Sequence, residues 1–144
     1  MTSLRFATAV HILVLLAHLG ADTAERAQPS SMLAKSIGAN PVVVRRLMAA
    51  LAAAGLIHTK AGSAGGAWLA RPADAIRVSE IYTAVEEGPA HASRPQGAEN
   101  CPVGRAAPGV ICGLIRSMDE AAKNALASRT LADVVRAVEA VAAA

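Results

Sequence analysis

Four segments in a fixed order between residues 31 and 70 constrain this chain more than any other feature. Ser31-Met-Leu-Ala-Lys-Ser-Ile37 is a short apolar-periodic run closed by Gly38. Asn40-Pro41-Val-Val-Val-Arg45-Arg46-Leu-Met follows and continues to about Ala54 before Gly55. Gly62-Ser-Ala-Gly65-Gly66 then sits between Leu56–Lys60 and Ala67–Ala70. Gly38 suits a left-handed C-cap, Asn40 an N-cap, and Pro41 the first position of a helix, where no N–H is needed. Two short apolar runs around a glycine-rich reversal read as a β-hairpin. Taken singly these signals are weak, because arginine pairs are usually solvated and glycine pairs usually just turn. Their order predicts a mainly α fold: a winged helix-turn-helix with a two-stranded β wing.

That arrangement sets a second helix into the major groove of double-stranded DNA, with its N-terminal residues at base edges. The sequence offers Ser36, Asn40, Pro41, Val42, Val43, Arg45 and Arg46 to that role, while Val44, Leu47, Met48 and Leu51 form the core face. Arginine reads guanine or pairs with phosphate, and asparagine reads adenine or the backbone. Ser30 or Ser31 can N-cap the bracing helix, Met32–Ile37, which also sets Ser31 at its DNA-facing start. In the wing, the glycines, Gly65 among them, would let backbone approach a phosphate beside Ser63 while Lys60 supplies charge; Ser3 and Arg5 are candidate phosphate clamps at the chain start.

Bulk properties agree with that partner. Basic residues exceed acidic ones by three over 144 residues, a modest excess suited to a polyanion. Only Phe6, Trp68 and Tyr82 are aromatic, which argues against single-strand or RNA binders that stack bases on rings. The apolar run Ala7–Leu19 is interrupted by His11 and His18 and is too short to span a bilayer, so it reads as a buried helix of a cytoplasmic protein with no membrane partner. No nucleophile–base motif, phosphate loop, HExxH or CxxC pattern is present, so an enzyme is not expected.

Along the rest of the chain, helical spacing predicts a first helix over residues 3–20 and a helix capped by Ser79 and ending near Glu87. Residues 88–108 hold Pro89, Pro95, Pro102 and Pro108 with Gly88, Gly97 and Gly104, and read as a loop. Val110–Ala127 then carries Ile111, Leu114/Ile115, Met118, Ala122 and Leu126 on one stripe, and Thr130 caps a closing helix. The expected division is a DNA-binding unit at 1–87, a sensor loop at 88–108 and a dimerisation helix with closing helix at 109–144. A stripe outside the winged core needs a cover, and a two-fold partner reading paired half-sites of a palindromic operator is the simplest one.

Several of these segments together resemble the Rrf2 family of bacterial winged-helix regulators. They are Leu33-Ala-Lys-Ser-Ile-Gly38, Asn40–Leu47, Ala53-Ala-Gly-Leu56, Gly65-Gly66 with Leu69-Ala-Arg-Pro72, Ile81–Glu86, and Thr130-Leu-Ala-Asp-Val134. The family includes an iron–sulfur cluster regulator, a nitric-oxide-sensitive repressor and a cysteine metabolism repressor. The resemblance implies a homodimer crossed by the long helix, acting usually as a repressor. Many members carry Arg or Lys before the wing glycine and an aromatic after Gly-Gly. Here those positions are Ala61 and Ala67, which implies a weaker wing and more work for Arg45 and Arg46.

The resemblance also puts the sensing residues in the loop before the dimer helix, where Cys101 stands. Cluster-binding members typically carry three closely spaced cysteines, whereas this chain has only Cys101 and Cys112, and looks more like the subgroup without a cluster. A cluster normally takes four protein ligands, so no cofactor is expected unless the partner completes the set, with His11 a candidate. Pro102 can open a short helix with Cys101 at its N-terminus, where the dipole favours thiolate and Arg105 adds to that. Peroxide would convert such a thiolate to sulfenic acid, resolved by Cys112 or by the partner's thiol. Cys112 reads equally as a small packed hydrophobe. Two alternatives stay open: a cluster with ligands shared across the dimer, and a small-molecule effector held between helix one and the dimer helix. His11, on the apolar side of helix one, reads first as a core or interface residue.

Overall fold

The structure, a computed structural model, describes residues 4–86 and 97–144; Ser3 and positions 87–96, including His91, lie outside the described residues. The elements in order are α1 (Leu4–His18), α2 (Ser30–Ile37), α3 (Pro41–Ala53), β1 (Ile57–Lys60), β2 (Gly66–Leu69), α4 (Val78–Val85), α5 (Pro102–Leu126) and α6 (Leu131–Ala142). Single 3-10 turns occupy Ala24–Arg26 and Ala73–Ala75.

α1 is the hub. Its Ala9, Ile12, Leu13 and Leu16 are wholly buried, and α2, α3, α4, α6 and β2 all pack around it. From α3 the buried side chains are Val44, Leu47, Met48 and Leu51, the face expected from the sequence. Each such fully buried Leu or Ile contributes about 2 kcal/mol of apolar burial, so this face fixes how α3 sits. Its opposite face is then obliged to point outward.

The turns follow the expected chemistry in part. Gly38 adopts φ 75 and closes α2, and Asn40 caps α3 by accepting the Val42 N–H at 2.8 Å. α2, however, is not capped by Ser30 or Ser31: Pro29 occupies the N-cap position without a side-chain bond. Nor does Ser79 cap α4. Arg77 is the N-cap, its N–H donates to the Glu80 carboxylate at 2.8 Å, and Ser79 lies inside the first turn.

β1 and β2 pair antiparallel with Ile57 opposite Leu69 and Lys60 opposite Gly66. A third stretch joins them, since Gln28 and Ala67 exchange two backbone hydrogen bonds of 2.9 Å. Gly66 lies against that stretch at φ 152, and a Cβ on it would overlap the Gln28 backbone. A Cβ on Gly65 would likewise strike the Lys60 carbonyl.

α5 begins at Pro102, taking in residues 102–108 that the sequence reading gave to a loop. Pro108 sits inside it. A proline there lacks the N–H that would bond the Gly104 carbonyl, and the Gly97 backbone packs beside that carbonyl instead. A proline-and-glycine count therefore misread a helix whose irregular point is covered by its own leader. α5 leans on α4, where Tyr82 is hydrogen-bonded to Asp119, and has no buried residue of its own. The expected single stripe divides: Ile115, Ala122 and Leu126 are half-buried, while Ile111, Leu114 and Met118 are exposed. α6 returns to the core through the Thr130–Asp133 capping box, the Leu131 N–H to Ile76 O bond of 2.8 Å, and the buried Leu131.

Candidate nucleic-acid interface and thiol segment

Because α3 buries Val44, Leu47 and Leu51, helical geometry turns Val42, Val43, Arg45 and Arg46 to solvent, and all four are exposed. Pro41 and Asn40 precede them at the exposed helix start, and Ser36 is exposed on α2. The Asn40 side-chain oxygen is committed to the α3 cap, which leaves its amide group as the donor available to a base or phosphate. Val42 and Val43 offer apolar contact suited to a thymine methyl.

A groove of about 530 Å³ runs between the start of α2, the middle of α3 and the wing. It brings together Ser31, Arg45, Lys60, Ser63 and Gly65, five residues spread over 35 positions of sequence. Thr59 and Ser30 line the same groove, and neither is expected at the DNA face from sequence. Their signal was only adjacency to Lys60 and Ser31. Among the described residues no acidic side chain lines the groove. Two cationic side chains, hydroxyl donors and backbone N–H groups around one concavity are suited to phosphate oxygens, which carry half or more of the hydrogen bonds in protein–DNA contacts.

The wing needs two corrections. Gly65 is buried, and its missing side chain makes room for the Lys60 carbonyl, not for a phosphate. Ala67 is wholly buried against the core, so the absent aromatic there bears on packing and not on the groove-facing surface. Ala61 is exposed beside Lys60, where a missing cation does lower the charge of the wing. On the wing's other face the His58 ring lies 5.6 Å from that of Trp68. Arg5 is exposed in the first turn of α1 and Ser3 lies outside the described residues, so the clamp assigned to that pair rests on Arg5.

Cys101 occupies the N-cap of α5, exposed, with its sulfur accepting the Gly104 N–H at 3.4 Å. The expected placement at a helix start holds, but the helix is 25 residues long. Cys112 lies within it, half-buried. Eleven residues of helix separate the two sulfurs by about 16 Å along the axis. A disulfide requires Cα atoms within about 7 Å. Cys112 of the same chain therefore does not resolve an oxidised Cys101.

The same separation bears on an iron–sulfur cluster. Four ligands must converge on it, and among the described residues no three His, Cys, Asp or Glu side chains converge. The described donors of one chain do not fit that group. His11 is exposed on α1, not part of the core. His18 ends α1 and pairs with Glu139 of α6 at 3.0 Å.

Residues 2–137 match the family model described as Rrf2, iron-dependent transcriptional regulator. The chain belongs to the Rrf2 family. Among Rrf2 relatives it is 33% identical over 136 residues to the HTH-type regulator named YwnA of Bacillus subtilis strain 168, covering 94% of this chain and 97% of that one. Two solved Rrf2 structures share the fold. IscR of T. potens is 22% identical with a TM-score of 0.65, over 96% of this chain and 88% of its own. CymR, the global cysteine regulator of B. subtilis, is 24% identical with a TM-score of 0.63, over 94% of this chain and 95% of its own. The chain is thus a DNA-binding transcriptional regulator and not an enzyme. Among the described residues no helix is long and apolar enough to cross a membrane.

Proposed function

We propose that this chain acts as a homodimeric repressor of a palindromic operator, and that oxidation of Cys101 lowers its affinity for DNA. The observation that carries the DNA half is the convergence of Ser31, Arg45, Lys60 and Ser63 on one groove beside the exposed Asn40–Arg46 helix start. The dimer half is supported by α5, which leaves Val103, Val110, Ile111, Leu114 and Met118 exposed. A run of large aliphatics on one exposed helix face marks an interaction surface. Two recognition helices related by a two-fold axis would then read half-sites about one helical turn apart.

The control half is supported by the position of Cys101, an exposed thiol capping the first turn of that same helix. Its thiolate attacks one peroxide oxygen; the O–O bond breaks, an S–O bond forms, and hydroxide leaves. The sulfenic acid then condenses with a second thiol and releases water. Since Cys112 of the same chain is about 16 Å away along α5, that thiol belongs to the partner or to a small thiol compound. Either product adds bulk at the cap and disturbs the start of the dimer helix. No cofactor enters the reading, because the cysteines of one chain stand too far apart to share a cluster.

Fluorescence anisotropy with promoter DNA tests it. Wild-type protein should bind, weaken steeply as salt rises, and lose affinity with peroxide. Cys101→Ser should bind normally and ignore peroxide, and Cys112→Ser should still respond. A normal response in Cys101→Ser sinks the redox reading. Iron in stoichiometric amount after anaerobic purification would favour a cluster shared across the dimer instead.

A further inference from the structure

Among the described residues α5 rests on the rest of the chain through α4, and α4 in turn packs on both α1 and α3. Val78, Ile81 and Val85 fill the core side of α4. Tyr82, one position on from Ile81, is half-buried and reaches two other helices. Its hydroxyl donates to the Asp119 carboxylate of α5. Its ring stands 5.7 Å from that of Phe6 on α1, edge to face at 72°. Asp119 is shielded, with 17% of its side chain exposed, and Lys123 pairs with it at 3.0 Å. Phe6 follows the exposed Arg5 in the first turn of α1. Between α5 and the end of α3 lies a gap of about 480 Å³, with Ala54 and Leu56 on one wall and Lys123 and Asn124 on another.

We infer that Tyr82 is the positioning residue through which the state of α5 reaches the DNA face, an inference that rests on the control reading above. The hydroxyl holds α5 and the ring edge holds Phe6, so one side chain is clamped to both parts. α5 is a continuous helix, and Cys101 lies about 27 Å along its axis from Asp119. A helix held along one side pivots on that contact when its first turn is pushed. The shielded, charge-assisted bond keeps Tyr82 with Asp119 as α5 shifts. The T-shaped ring contact passes the shift to Phe6. Arg5 and Phe6 share one helical turn, so the guanidinium changes its place at the DNA face. The gap beside α3 leaves this path through α4 as the firm one. Coupling between two sites is reciprocal, so bound DNA must also steady α5.

Anisotropy and hydrogen exchange on the full chain test this, with a duplex selected on the wild-type protein from a random pool as the probe. Tyr82→Phe keeps the ring and removes the hydroxyl, so in the reduced state it should bind within about twofold of wild type. Peroxide should weaken wild-type binding about tenfold and that of Tyr82→Phe less than about threefold. The duplex should slow amide exchange over residues 115–126 in wild type and leave it unchanged in Tyr82→Phe. Asp119→Ala should reproduce both losses; a wild-type response in that variant would overturn the tie. Equal peroxide responses in wild type and Tyr82→Phe overturn the inference. So does a Tyr82→Phe protein weakened by one factor in both redox states, the mark of a merely structural residue. If wild type ignores peroxide, the control reading falls and exchange alone decides. Equal slowing over 115–126 in both proteins, or none in wild type, then overturns Tyr82 as the tie, and slowing confined to wild type sustains it.

Discussion

Replacing Gly66 with alanine separates two accounts of the wing. The sequence alone suggests that its glycines admit a phosphate; the structure shows Gly66 pressed on the Gln28 backbone at φ 152. Alanine there must enter a conformation that costs about 1–3 kcal/mol for a side chain. Its Cβ must also displace the 28–67 bridge, which carries two backbone hydrogen bonds worth about 1 kcal/mol each. The sum is about 3–5 kcal/mol, a large part of the 5–15 kcal/mol that stabilises a typical domain. At about 3 °C per kcal/mol for a chain of this size, the melting temperature should fall by about 10 °C or more. Thermal unfolding followed by circular dichroism measures it at matched protein concentration, since dimerisation shifts apparent stability. Trp68, two residues away and the only tryptophan, reports local loosening by fluorescence. A Gly66→Ala protein with wild-type stability and lost DNA affinity would refute the packing account and restore the phosphate one.

Arg45→Ala should weaken operator binding about tenfold and reduce the slope of log affinity against log salt by about one if Arg45 holds a phosphate; an unchanged slope with relaxed sequence preference would assign it to a base. Thr130→Ala removes the acceptor for the Asp133 N–H and should cost about 1 kcal/mol in denaturant unfolding. Glu80 is held below the usual carboxylate range, first by the Arg77 backbone N–H and then by Arg71. A carboxyl depressed in the folded state stabilises above its unfolded value and loses that contribution as pH falls through the folded one. Glu80→Gln should therefore narrow the difference between the unfolding midpoints at neutral pH and at about pH 3. An undiminished difference would place the acid sensitivity with Asp119 and Asp133, held low first by Lys123 and by the Thr130 N–H respectively.

Local chemistry made the reading part of α3 legible in advance. A capping Asn40 with Pro41, then Val44, Leu47, Met48 and Leu51 at helical spacing, dictates which face is buried whatever the helix packs against. Arg45 and Arg46 followed as exposed residues by simple rotation. Where short-range rules compete, they failed. Pro29 took a cap position offered to two serines, and α4 began at Val78, one residue before Ser79, with Glu80 bonded to the Arg77 N–H. Pro102 to Pro108 looked like a loop because each proline argues against helix singly, yet one opens α5 and the other is accommodated by Gly97.

The amino-acid sequence by itself determined the order of elements, the helix-turn-helix turn, the solvent face of α3 and the place of Cys101 at a helix start. Each depends on residues within one or two turns of one another. Only the tertiary structure decided what Gly66 is for, that Cys101 and Cys112 of one chain cannot meet, and that Ile111, Leu114 and Met118 of the α5 stripe are left open. Those outcomes depend on which distant segment arrives alongside: Gln28 at the wing and α4 at one side of α5. Such distances are set by the packing of the whole core, and no periodicity in the chain encodes them.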